Sequence, residues 1–223
     1  MRTRFAYHYA HLVGPTQSFA RGKGFTQPPD RSDGSIPERV EEHAMRSLDR
    51  SKEPFIAHYR DTGSEKPPYP PETYDRMPIW VAVEAFSFGS LSKLLEASKE
   101  SGVLDAVAES ISVSRKDLPS QIRSFVYLRN RIAHCAKLWN HAVLDKPSLQ
   151  PAQIRRAKRI RNFDDLSIYK ILLAMDAMTK KTGIENNWLE NKVHPVLEQS
   201  PLLGVGIATP RKYGQMSAKF LIG

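Results

Sequence analysis

Leu128-Arg129-Asn130-Arg131-Ile132-Ala133-His134, continued by Leu138-Trp139-Asn140, sets an arginine and a histidine five positions apart in an apolar helical pattern that opens at Pro119. Proline suits the first turn of a helix, where its missing N–H leaves nothing unpaired. At about 100° per residue, Ile122, Val126, Ala133 and Ala136 form an apolar stripe; Arg123, Tyr127, Asn130, His134, Lys137 and His141 gather opposite, if the helix runs that far. Arg129 falls on the stripe, between Val126 and Ala133, where a charge is costly unless paired or used.

The rest of the chain reads as helices around this one. Phe5, Tyr9 and Leu12 have helical spacing, and Gly14 to Gly34 is a long loop. Ser35-Ile36-Pro37-Glu38 has the form of a capping box ahead of the stripe Val40, Ala44 and Leu48. A short helical segment around Phe55, Ile56 and Tyr59 precedes Pro67, Pro68, Pro70 and Pro71, a surface loop. Ile79 to Phe88 is a strongly apolar helix placed centrally, with Gly89 as its bend or break before Leu91, Leu94 and Leu95. Val103, Leu104, Val107 and Ile111 mark another short helix. After a loop around Pro147 and Pro151 come the basic run Arg155, Arg156, Lys158, Arg159, Arg161 and a helix from about Asp165 to Lys181, stopped at Gly183. A last short helix lies around Trp188 and Leu189. With no alternating strand pattern and no repeat, the expectation is an all-α bundle with long irregular loops: one domain over residues 1–200 and an irregular tail over 201–223.

The chain has 223 residues and a net charge of +9, with a pI near 9.7, which favours a polyanionic partner. No apolar run approaches the roughly 18 residues of a membrane span and the start carries no secretory core, which points to a soluble cytoplasmic protein without a membrane partner. A single cysteine, Cys135, excludes an intrachain disulfide and reads as a small buried residue. No Cys/His cluster has zinc spacing, so neither a metal nor another cofactor is expected.

An imidazole and a guanidinium suit cleavage of RNA without a metal, because the 2′-hydroxyl is a built-in nucleophile. The protein need only take its proton, protonate the leaving oxygen and stabilise the phosphorane. Spacing alone is a weak signal, since Arg2 with His8 and Arg4 with His11 lie at similar distances. Two readings of Arg129 stand side by side: an ion pair with Glu84, the only charged residue between Arg76 and Lys93, and a phosphate ligand oriented by that carboxylate. On an ideal helix Arg129 and His134 lie ~140° apart, whereas Asn130 and His134 share a face. His134 is a site residue or a satisfied histidine; His141 is a weaker candidate, and His8, His11, His43, His58 and His194 are ordinary. The run Arg155 to Arg161 is a solvated helix face or a phosphate track. Trp80 and Trp139 read as core rather than as base-stacking platforms.

Three segments together resemble the Abi family of bacterial abortive-infection proteins, the AbiD/AbiF-like group of the HEPN superfamily. They are Ser51-Lys52-Glu53-Pro54-Phe55-Ile56 with His58-Tyr59; Pro78-Ile79-Trp80-Val81-Ala82-Val83-Glu84 with Ser87-Phe88-Gly89 and Leu91-Ser92; and Leu128-Arg129-Asn130 with Ala133-His134 and Leu138-Trp139-Asn140. The resemblance covers Arg2 to about Asn140, with a looser fit through the helix near Leu172. It implies a helical HEPN bundle, an Arg/His ribonuclease motif at Arg129 and His134 with Asn130 as its polar partner, dimerisation through that motif, and a role in phage defence or as a toxin. RNA-targeting CRISPR effectors carry related motifs, which points by analogy to RNA. Family members have further helical sequence ahead of Arg2, so a truncated start is expected. Many have a second His directly after the motif His and an Arg two residues later, where this chain has Cys135 and Lys137.

The resulting expectation is a homodimeric, metal-independent endoribonuclease. His134 serves as general base or acid, Arg129 as charge stabiliser and Asn130 as positioning residue. Glu84 and His141 support them, and Arg123, Lys137, Arg155, Arg156, Lys158, Arg159 and Arg161 hold RNA, with an RNA or protein antitoxin as restraint. The rivals are a catalytically silent RNA-binding protein and an interaction module of a toxin–antitoxin pair.

Overall fold

A computed structural model describes residues 1–30, 37–60, 66–184 and 187–210. Every described element is helical, and no described helix is long and apolar enough to cross a membrane. The chain divides into two compact units, Met1–Ser110 and a second from Ile111 onward.

The first unit contains α1 (Arg2–Leu12), α2 (Val40–Arg50), α3 (Pro54–Tyr59), α4 (Ile79–Ala85), α5 (Phe88–Ala97) and α6 (Val103–Ser110). Helix α1 packs on α4 and α6, and α2 on α5, burying Phe5, Tyr9, Leu48, Ile56, Phe86, Leu91 and Leu94. Helices α1 and α4 run antiparallel: Arg2 Nη2 donates to Phe86 O at 2.8 Å at one end, and Ile79 N donates to Pro15 O at 2.8 Å at the other.

The apolar segment expected as one helix to Phe88 is two. Phe86 and Ser87 are extended, and the Ser87 hydroxyl caps α5 by accepting from Ser90 N at 2.9 Å, so the break precedes Gly89. Ser35 and Ile36 of the expected capping box lie outside the described residues. Helix α2 itself starts at Val40 with Arg39 as its N-cap, beyond that box.

The second unit holds α7 (Leu118–Ala133), α8 (Pro151–Ile160), α9 (Ile168–Lys181), a π-type turn at Leu189–Val193, α10 (His194–Gln199) and α11 (Pro201–Ala208). Helix α9 packs against α7 and α11 around Leu128, Phe163, Tyr169, Ile171, Leu189, Leu197 and Ile207. It starts at Ile168, capped by Ser167, so Leu166 is exposed outside it. The start of α7 is tied to the loop before α8 by Asp117, which accepts from Ser148 Oγ at 2.6 Å and Gln150 Nε2 at 2.5 Å. Helix α11 corrects the expected tail. Pro201 opens a helix instead of breaking one, and the two glycines that suggested irregularity permit close packing; residues 211–223 lie outside the described set.

Candidate functional site

Helix α7 stops at Ala133, so His134 is its C-cap rather than one more helical residue. The end is a Schellman turn: Cys135 N donates to Ile132 O at 3.0 Å and Ala136 N to Arg131 O at 2.8 Å, with Cys135 left-handed at φ 49°. Two last-turn carbonyls thereby find donors, and the chain reverses direction. The opposite face expected to carry Lys137 and His141 on a longer helix does not exist in that form. Arg131 stabilises the reversal, its Nη2 and Nε donating to Lys137 O at 2.5 and 3.2 Å.

Beyond the turn the chain is fastened to α11. The indole Nε1 of Trp139 donates to Leu202 O at 2.9 Å, and Asn140, left-handed at φ 52°, donates its N–H to Gly206 O at 2.9 Å. His141 comes back to α7, where its Nε2 hydrogen-bonds the Tyr127 hydroxyl, with the rings nearly parallel at 6.1 Å. His141 therefore neighbours α7 through a tertiary hydrogen bond, without belonging to the helix.

Arg129, Asn130 and His134 stand together on the surface at this end, all exposed. Arg129 Nη1 donates to Asn130 Oδ1 at 3.1 Å, so the two share one polar group. The expected burial of Arg129 is overturned. Helix α7 buries Leu118, Gln121, Ile122, Ser124 and Leu128, but its last turn runs past the covering helices, leaving Ala133 exposed and Ile132 58% exposed. Glu84 is exposed on α4 of the first unit, while Arg129 belongs to the second. Cys135 is exposed, not buried, because the left-handed turn carries it off the helix. Trp139 is half-buried, and Trp80 is 54% exposed rather than core.

The other basic residues fall in two places. Arg123 is exposed on α7, and Lys137 lies over the Trp139 ring at 5.2 Å. Arg155, Arg156, Lys158 and Arg159 are exposed on α8, and none is ion-paired with a described residue. Arg161 departs from the run. It is half-buried, its Nη1 lying where a Cβ on Gly204 would come to 2.9 Å. Its charge adds to burial in holding His194 below the usual histidine range, where His194 Nε2 and the Tyr169 hydroxyl meet at 2.8 Å.

Sequence reasoning missed Arg131, Tyr127 and Gly206, the residues that hold the site loop. The usable signals were a second arginine three positions before His134 and a glycine pair inside an apolar run. Among the described residues no group of three or more His, Cys, Asp and Glu side chains is arranged to hold a metal ion. Chemically, the helix end offers a cation, an amide and an imidazole within six residues of chain, with further cations on α7 and α8.

A family model described as Abi-like protein matches residues 1–140. The match takes in the whole first unit and α7 with its turn, and leaves α8 to α11 outside. No curated protein and no solved structure matches the chain.

Proposed function

Because the chain belongs to the Abi-like protein family, we propose that it acts in abortive infection or phage defence as an endoribonuclease of HEPN type, with its site at the C-terminal end of α7. The observation that carries this reading is the exposure of Arg129, Asn130 and His134 at the end of α7, where Asn130 Oδ1 accepts from the Arg129 guanidinium and Asn130 O from the His134 N–H.

The reaction needs no external nucleophile. One imidazole takes the proton of the 2′-hydroxyl as that oxygen bonds to phosphorus, and an acid returns a proton to the departing 5′-oxygen, leaving a 2′,3′-cyclic phosphate and a 5′-hydroxyl. Arg129 balances the charge gathered on the phosphorane oxygens, and Asn130 fixes the guanidinium. One such His per chain makes a twofold dimer the natural source of the second.

The test is incubation of wild type and His134→Ala with labelled single-stranded RNA in EDTA, followed by analysis of the ends. Cleavage by wild type alone, leaving cyclic phosphate, is the expected result; a requirement for divalent metal rejects this mechanism. A second reading, RNA binding without cleavage, is favoured by the exposed basic face of α8, which has no ion pair to a described residue and lies outside the family match. It predicts tight binding and no cleavage by either protein. An RNA or protein antitoxin as restraint belongs to either reading.

A further inference from the structure

A cleft of about 320 Å³ lies between α1 and α4 in the first unit, lined by Thr3, Tyr7, His11, Trp80, Val83 and Glu84 among others. It is built from two faces at helical spacing: Thr3, Tyr7 and His11 on α1, and Trp80 and Glu84 on α4. Because the helices run antiparallel, Thr3 lies toward the Glu84 end and His11 toward the Trp80 end. Below the cleft Phe5, Ala6, Tyr9, Ala82 and Val83 fill the core, yet Trp80 is 54% and Tyr7 58% exposed. The Tyr7 and His11 rings pack at 4.3 Å, and His11 Nδ1 is hydrogen-bonded to Tyr7 O at 2.9 Å, which steadies that aromatic wall.

Glu84 is an exposed carboxylate without an ion pair to a described residue, in a chain of net charge +9. The half-exposed indole of Trp80 and the Tyr7–His11 ring pair, beside a single acceptor-only group, suit a flat, neutral ring whose edge carries two adjacent donors. Among the nucleobases only guanine presents that edge, through N1–H and its exocyclic amine. Adenine and cytosine offer one amine and uracil one imide N–H. An organic cation would also stack and pair here. The neighbouring charge disfavours it: the chain carries a net +9, and the Arg2 guanidinium is held on Phe86 O, two residues beyond Glu84. The same field attracts a phosphate.

We infer that this cleft is a nucleobase pocket selective for guanine, stacking the base on Trp80 and Tyr7 and reading its Watson–Crick edge with Glu84. The biological ligand is then an unpaired guanine of RNA, which rests on RNA being the polymer the protein handles.

The test is titration of the full chain with the 5′-monophosphates of guanosine, adenosine, cytidine and uridine, followed by tryptophan fluorescence. All four carry the same phosphate, so charge cancels. The expected result is saturable quenching by the guanosine nucleotide at a dissociation constant at least ~10-fold below the others. Trp80→Leu removes the quenching and Glu84→Gln brings guanosine to the level of adenosine; both side chains are exposed, and unchanged thermal melts establish that each variant folds. Equal binding of all four nucleotides, or quenching untouched by both substitutions, overturns the pocket. Displacement of the nucleotide by argininamide at lower concentration assigns the cleft to a cation and also overturns it. His134→Ala is expected to bind the guanosine nucleotide like wild type, so failure of the nuclease reading is visible separately from failure of the pocket.

Discussion

Trp139 lies against Gly206 so closely that a Cβ on the glycine would come within 2.2 Å of the indole Nε1. The chain leaving the Schellman turn can reach α11 only because that position has no side chain. Gly206→Ala is expected to push the indole off α11 and strain the Leu202 hydrogen bond, at a cost of ~1–3 kcal/mol. Urea denaturation measures the loss; a wild-type midpoint would show that the ring moves aside freely.

Cys135 holds a left-handed conformation that any residue with a Cβ adopts at some cost. Cys135→Gly is expected to stabilise the fold by ~1 kcal/mol, the order of that strain, and Cys135→Val to destabilise it, because a β-branched side chain crowds the turn further. Thermal melts of the two variants should bracket wild type. A lower melting temperature for the glycine variant would contradict the assigned turn.

Arg129 and Arg131 are two positions apart and have separate tasks. Arg129→Ala is expected to cut RNA cleavage by ~10²–10³-fold with an unchanged melting temperature, since the side chain is exposed and its hydrogen bond goes to its sequence neighbour Asn130. Arg131→Ala removes the hydrogen bonds to Lys137 O and is expected to lower the melting temperature, with activity falling as the turn loosens. Equal effects of both variants on melting would erase the distinction.

The four exposed cations of α8 make a prediction about salt. If Arg155, Arg156, Lys158 and Arg159 each neutralise a phosphate of single-stranded RNA, replacing all four by alanine lowers the slope of log affinity against log salt by about 3. Binding titrations from low to high salt read the slope directly. An unchanged slope removes α8 from the RNA contact and leaves it a solvated face.

His194 supplies the pH dependence. Burial first, and Arg161 second, hold it below the ordinary histidine pKa of about 6.5. His8 and His43 are lowered as well, chiefly by burial. In each case the unfolded chain binds the proton more readily than the folded one. Stability is therefore full above the unfolded pKa and is lost as pH falls through it toward the folded value. Melting temperature is expected to decline as pH drops below about 6.5, and less steeply in His194→Gln; a flat profile through that range would contradict the lowered pKa values.

Local sequence was enough for the fold class, for most helix positions and for the stretch carrying the candidate site. Pro119 at the start of α7, the helical spacing of Val40, Ala44 and Leu48 in α2 and Gly183 just after α9 act within a turn or two of their own chain, so they are legible without neighbours. Arg129 was visible as a charge breaking an apolar stripe, and Asn130 and His134 as polar groups sharing the opposite face. Only tertiary structure decided where α7 stops, because its end is secured by Trp139 bonding to Leu202, 63 positions away, and by the small volume of Gly206. It also decided that Arg129 and Trp80 are exposed. Helical spacing can tell which residues share a face, but whether that face is covered depends on helices that arrive from elsewhere in the chain, and over Trp80 and the last turn of α7 the described residues provide little cover.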